Sequence, residues 1–84
     1  MWFVYIIRCG DGSLYTGSTN NLQKRFLAHK NGKGAKYTRS RGVKRIVFSE
    51  KYVKKIMALK RERGIKKLRR EEKLKLIKKV NLVK

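Results

Sequence analysis

The spacing of apolar and polar positions changes several times along this chain. Trp2 to Ile7 (WFVYII) is a continuous apolar run, rich in β-branched and aromatic residues and too short for a stable helix, and it predicts a strand. Gly10-Asp11-Gly12-Ser13 is a hairpin-turn signal, and Leu14 to Gly17 predicts the returning strand. Ser18-Thr19-Asn20-Asn21 offers helix N-caps, with Asn20 and Gln23 resembling a capping box. A helix then runs from about Asn21 to Lys30 and is ended by Asn31-Gly32. Lys33 to Arg41 is polar and flanked by glycine, a loop with room for one helical turn. Lys44 to Ser49 predicts a third strand, Tyr52 to about Leu68 a basic helix, and Arg69-Arg70-Glu71 the start of a shorter helix through Leu76. The order β-β-α-β-α-α predicts an α+β fold, a small antiparallel sheet flanked by helices, with residues 1–84 as one domain.

The hairpin carries Tyr5 and Tyr15 on its two arms. Side chains alternate faces along a strand, so the turn length decides whether the two phenols meet. A two-residue Asp11-Gly12 turn would set Tyr15 opposite Arg8 and turn it away from Tyr5. A three- or five-residue loop, or a bulge, brings both to one face.

Charge adds a partner class. Twenty-five Lys and Arg against five Asp and Glu give a net charge of +20. Such a field attracts polyanions, nucleic acid first. An anionic membrane surface fits less well, because the basic segments have no strongly apolar face. Lysine richness also accompanies growth at high temperature. No apolar run approaches the roughly 20 residues of a membrane span. Met1-Trp2-Phe3 lacks the basic lead of a signal peptide, and the lone Cys9 cannot form an internal disulfide, so a reducing, cytoplasmic setting is expected.

Two helices carry polar residues on apolar faces. In the first, Leu22 and Phe26 define the buried stripe, and Arg25 and His29 fall within about 60° of Leu22 on it. Arg25 can snorkel, its stem over the core and its head in water, with His29 at the rim near the helix C-terminus; or both can face a site. In the long helix, Glu62 adjoins Ala58, Leu59 and Ile65. It can pair with Arg25 or with Lys66, or it can ligate a metal, since one carboxylate with waters and substrate phosphate is the usual way Mg²⁺ is held. Strand tyrosines are ordinary, but this set suits phosphodiester hydrolysis. A tyrosine can accept a proton from water if surrounding cations lower its pKa, an arginine can hold phosphate in bidentate fashion, and a glutamate can hold one metal ion.

These residues lie in an order that resembles the GIY-YIG nuclease domain, specifically its small stand-alone members, over essentially the whole chain. Phe3-Val4-Tyr5 stands for G-I-Y and Tyr15-Thr16-Gly17 for Y-I-G. Asn21-Leu22, Arg25 and His29 follow the N-L-x-x-R-x-x-x-H pattern, and Gly34-Ala35-Lys36-Tyr37-Thr38-Arg39 resembles the G-A-K-Y-T stretch of the stand-alone group. Ala58-Leu59 with Glu62 and Ile65-Lys66 resembles the helix bearing the family's metal-binding glutamate.

The resemblance implies a three-stranded antiparallel sheet and cleavage of DNA phosphodiesters with one divalent ion, Mg²⁺ or Mn²⁺, in DNA repair or processing. It implies that Tyr5 or Tyr15 positions or deprotonates the attacking water, that Arg25 stabilises phosphoryl charge, that His29 assists and that Glu62 binds the metal. Lys36, Tyr37, Arg39, Lys66 and Lys73 are the candidate DNA contacts, to branched or single-stranded forms among others. Phe3 and Val4 depart from the first motif, and Ser18 follows Gly17 where some relatives carry lysine. Relatives commonly borrow another domain for targeting, so a protein partner enters the expectation beside the basic surface. The alternatives are a basic nucleic-acid-binding module without catalysis and an RNA- or ribosome-associated protein.

Overall fold

Alternation along the first strand sets the two faces of the molecule. The computed structural model describes residues 1–83, with side chains as far as Lys79. β1 (Trp2–Cys9) sends Val4 and Ile6 to one face and Tyr5, Ile7 and Cys9 to the other. It is the middle strand of a three-stranded antiparallel sheet of order β2-β1-β3, between β2 (Leu14–Thr19) and β3 (Val43–Tyr52). A strand covered on both faces reads as a continuous apolar run, which is how its sequence reads.

Helices complete three layers. α1 (Leu22–Lys30) and α2 (Lys36–Arg41) cover the Tyr5 face, where Leu22, Phe26 and Tyr37 pack against Tyr5, Ile7 and Cys9. α3 (Lys55–Lys66) and α4 (Arg70–Val83) cover the other face, where Ala58, Ile65 and Ile77 close on Val4, Ile6 and Phe48. Each isoleucine fully buried there contributes roughly 1.5–3 kcal/mol. Among the described residues, no helix is long and apolar enough to cross a membrane.

The hairpin turn is a three-residue loop, Gly10-Asp11-Gly12. Cys9 N–H donates to Ser13 O at 2.8 Å and Gly12 N–H to Cys9 O at 3.0 Å. Gly12 sits at φ 85°, the left-handed position that such a loop requires and that a side chain would strain. The register pairs Ile7 with Tyr15 and Tyr5 with Gly17, so both tyrosines face α1. On the other side of β1, Ile6 pairs with Phe48 but Ile7 with Ile46. The extra residue, Val47, makes a bulge that directs both Val47 and Phe48 to the α3–α4 face and Ile46 to the α1 face.

Several boundaries differ from the expectation. The N-cap of α1 is Asn21, whose Oδ1 accepts from Lys24 N–H at 3.1 Å, one residue beyond the Asn20–Gln23 box. The Lys33–Arg41 loop contains α2, a six-residue helix inserted into the order β-β-α-β-α-α. β3 continues to Tyr52, which pairs with Trp2 of β1, and Glu50 accepts from both the Tyr52 hydroxyl and Arg61 Nε at 2.9 Å, tying the strand end to α3. α3 therefore begins at Lys55, and α4 runs on past Leu76 to Val83.

Candidate functional site

The shared face of Tyr5 and Tyr15 is where α1 and α2 deliver their polar residues. Asn21 starts α1 so that the Leu22–Phe26 stripe packs on the sheet, which turns Arg25 and His29 inward with it. His29 is 1% exposed, and its Nε2 lies 2.9 Å from the Tyr5 hydroxyl. Its Nδ1 lies 2.8 Å from Thr38 Oγ1 on α2. The Tyr15 ring packs at 5.1 Å from the His29 ring and at 5.8 Å from Tyr37, extending an aromatic wall toward the surface.

Close approach needs glycine at two points. A Cβ on Gly17 would stand 2.5 Å from the Tyr5 phenol oxygen and 2.7 Å from its Cζ, so the Tyr5 ring can lie across β2 only where no side chain intervenes. A Cβ on Gly34 would run into Nδ1, Cγ and Cε1 of His29.

Glu62 comes from the opposite layer. Its Oε1 accepts from Ser18 Oγ at 2.5 Å and its Oε2 pairs with Lys66 Nζ at 2.7 Å. Ser18 follows Gly17, so adjacent residues of the edge strand β2 seat the Tyr5 hydroxyl on one face and the Glu62 carboxylate from the other. The two are close enough for the Glu62 charge to act on the Tyr5 phenol. The i,i+4 pairing weighed from sequence is thus present, with Lys66 and not Arg25 as its partner.

The electrostatics depart from expectation at Tyr5. Burial pushes its phenol above the ordinary value, and this outweighs the downward pull of the nearby Arg25 guanidinium. The anticipated lowering by surrounding cations is only the minor effect. Arg25 is raised in turn, chiefly by its interaction with Tyr5 and also by Tyr15. His29 is lowered by burial first and by Arg25 second, so a neutral imidazole faces the Tyr5 hydroxyl.

That lowering has a thermodynamic sign. Near its ordinary value of 6.5 the unfolded chain binds a proton that the folded His29 refuses. The associated stability is full above pH 6.5 and is lost as pH falls through the lower folded value. The urea midpoint of the wild type should therefore fall between pH 7.5 and pH 5, and that of His29→Gln should fall much less. Parallel declines would show that another group titrates.

A hard cation fits the donor set. Among the described residues, no three His, Cys, Asp or Glu side chains gather into a cage. A single carboxylate suits an ion that keeps most of its shell as water and phosphate. Glu62 is hydrogen-bonded on one oxygen by Ser18 and paired on the other with the half-exposed Lys66, which an ion at that oxygen would have to displace.

The DNA-contact candidates scatter. Lys36 and Arg39 are exposed on α2, and Lys66 is engaged with Glu62. Tyr37 and Lys73 share a groove of about 190 Å³ with Ser13, Leu14 and Arg70. Arg41 and Arg70 are not among those candidates. Arg41 lies 3.8 Å over the Tyr37 ring and pairs with Asp11 at 3.2 Å, while Arg70 donates to Gly12 O at 3.0 Å. Both clamp the hairpin turn beside the groove.

The domain model described as the GIY-YIG catalytic domain matches residues 1–75. The chain belongs to the GIY-YIG family. Domains of this family are generally those of endonucleases, and they generally use a divalent metal. The chain is 55% identical over 75 residues to a UPF0213 protein of Oceanobacillus iheyensis, covering 89% of this chain and 87% of that one. It is 57% identical over 77 residues to a UPF0213 protein of Clostridium perfringens, covering 92% and 83%. The solution NMR structure of a UPF0213 protein from Bacillus halodurans superposes with a TM-score of 0.60 at 43% identity, covering 93% of this chain and 84% of that one. In this GIY-YIG chain, the last glycine of the second motif is the residue over which the first motif's tyrosine lies.

Proposed function

We propose that this GIY-YIG chain, residues 1–84 as one domain, is a metal-dependent endonuclease that hydrolyses DNA phosphodiester bonds in repair or processing. One observation carries the reading: a buried hydroxyl–imidazole–hydroxyl chain, Tyr5–His29–Thr38, whose phenol feels the charges of both Arg25 and Glu62. A phenol raised by burial makes a poor resting phenolate, so Tyr5 acts as a relay. It takes a proton from the attacking water as its own phenolic proton passes to His29 Nε2. The hydroxide so formed bonds to phosphorus, the ester P–O bond breaks, the leaving oxygen takes a proton from solvent, and His29 gives its extra proton back to solvent through the Tyr5 hydroxyl as the site resets. Arg25 balances the charge on the phosphoryl oxygens, and Tyr15, less buried than Tyr5, orients the water. Glu62 would hold Mg²⁺ or Mn²⁺, which supplies Lewis-acid stabilisation of phosphate charge when bound.

The test is cleavage of supercoiled plasmid, single-stranded and branched DNA with Mg²⁺, Mn²⁺ or EDTA. Nicking that EDTA abolishes supports the reading. The Glu62–Lys66 pair favours one alternative, a nucleic-acid-binding module in which Glu62 is structural. Absence of nicking on every DNA form would select it.

The groove makes the binding side specific. Of the α4 lysines, Lys73 lines the groove with Tyr37 and Arg70, Lys78 neighbours Arg8 and Arg45, and Lys75 and Lys79 lie toward Arg61 on α3. Affinity for DNA should fall steeply with salt. Removing Arg70 and Lys73 together should flatten the salt slope by about 1–2, whereas Lys75→Ala with Lys79→Ala should alter it less. Equal effects of the two pairs would point to a diffuse field and no defined path.

A further inference from the structure

We infer that Thr38 is a positioning residue whose hydroxyl fixes His29 with the proton on Nδ1, leaving Nε2 as the acceptor for the Tyr5 proton. The consequence for turnover rests on the hydrolytic reading above; the geometry does not.

Thr38 is 1% exposed and its Oγ1 has two partners, His29 Nδ1 at 2.8 Å and the Ala35 carbonyl at 3.0 Å. A carbonyl oxygen only accepts, so the single hydroxyl hydrogen points to Ala35. Oγ1 then accepts from His29, and Nδ1 must carry hydrogen. A neutral imidazole has one N–H, so Nε2 presents its lone pair to the Tyr5 hydroxyl 2.9 Å away. The opposite tautomer would cost the Thr38–Ala35 bond. It would also make the Tyr5 oxygen an acceptor from Nε2–H, so that Tyr5 could no longer hand His29 its proton. Of the two neutral tautomers, only the Nδ1–H form keeps all three bonds.

This gives the Gly34-Ala35-Lys36-Tyr37-Thr38 stretch a job. Gly34 leaves room for the imidazole, the Ala35 carbonyl takes the threonine hydrogen, and Thr38 receives Nδ1–H. A hydroxyl in this role holds the tautomer without adding a negative charge. The groups that face His29 are Tyr5 from β1, Tyr15 from β2, Arg25 from α1 and Thr38 from α2. No carboxylate among them raises its basicity, in keeping with a neutral ring.

His29 is the only histidine of the chain, so its imidazole nitrogens can be read without assignment in ¹⁵N–¹H correlation spectra. At pH 7.5 the wild type should show a protonated Nδ1 and a pyridine-like Nε2. Thr38→Ser should keep that pattern and Thr38→Val, which keeps shape but not the acceptor, should move it toward Nε2–H. Plasmid nicking should fall at least about tenfold in Thr38→Val, a part of the roughly 10²–10⁴-fold that a positioned proton transfer supplies, and recover in Thr38→Ser. A wild type already in the Nε2–H form overturns the assignment whether or not the variants fold. A folded Thr38→Val with an unshifted tautomer overturns it as well. A shifted tautomer with unchanged nicking overturns the positioning role. If the wild type nicks no DNA, the hydrolytic reading fails, while the spectra still decide the tautomer.

Discussion

Glu62→Gln should reduce DNA nicking in Mn²⁺ by roughly three orders of magnitude or more. The amide keeps the size of the carboxylate and can still accept from Ser18 Oγ, but it lacks the charge that a hard cation needs. A metal's share of transition-state stabilisation is several kcal/mol, and each 1.4 kcal/mol is about tenfold in rate. The Lys66 partner is half exposed and its loss alone costs little, while the carboxylate is 16% exposed and keeps the Ser18 hydrogen bond as an amide, so the melting temperature should fall only modestly. Binding of Mn²⁺, followed by electron paramagnetic resonance, should weaken in parallel with nicking. DNA affinity without metal should hold or rise, because an anion has left a polyanion-binding surface. Nicking at the wild-type rate would return Glu62 to the role of a lysine's partner.

Gly17→Ala should damage fold and site together. The new methyl would meet the Tyr5 phenol at distances no relaxed contact has, 2.5 Å to the oxygen and 2.7 Å to Cζ. Tyr5 is 2% exposed and its ring is rigid, so β2 or the ring must move. Overpacking of this kind costs typically 1–3 kcal/mol. At about 4–8 °C per kcal/mol for a domain of this size, the melting temperature should drop by roughly 5–20 °C. The displaced phenol would also leave His29 Nε2, so nicking measured well below the new melting temperature should still be lost. An alanine variant with wild-type melting and nicking would mean that the Tyr5 ring does not lie over Gly17 in solution.

The tertiary sense of the sequence was easiest to read where one residue type has one use. The apolar run from Trp2 to Ile7 and a turn at Gly-Asp-Gly, though not its length, follow from period and sterics, and the helical period puts Arg25 and His29 on the Leu22–Phe26 stripe without deciding between a rim and a site. For Lys33–Arg41 one helical turn was legible but not the full six-residue α2, because Lys36–Arg41 is short and contains tyrosine, threonine and serine, which have little helical preference. Its helix is held by the Thr38 contacts with Ala35 and His29, and a tertiary partner leaves no local signal. Ser18 read as a missing lysine, whereas it is the hydrogen-bond donor to Glu62, 44 residues away. Which of Tyr5 and Tyr15 takes the proton stays open in the sequence, which shows nearby cations but not the depth of burial that raises the Tyr5 phenol.

The position of β2 on the rim of the sheet bears on what kind of polymer this arrangement suits. Tyr15 sits on a strand that has a neighbour on one side only, Tyr5 lies across that strand at Gly17, and Glu62 is tied to it through Ser18, so the proposed site stands at a rim of the sheet. A filament laid across such a rim can continue in both directions, and nothing in the geometry needs a terminus to dock against. Circular DNA, which has no ends, should then serve as well as linear DNA, and early products should be long fragments with no ladder of single nucleotides.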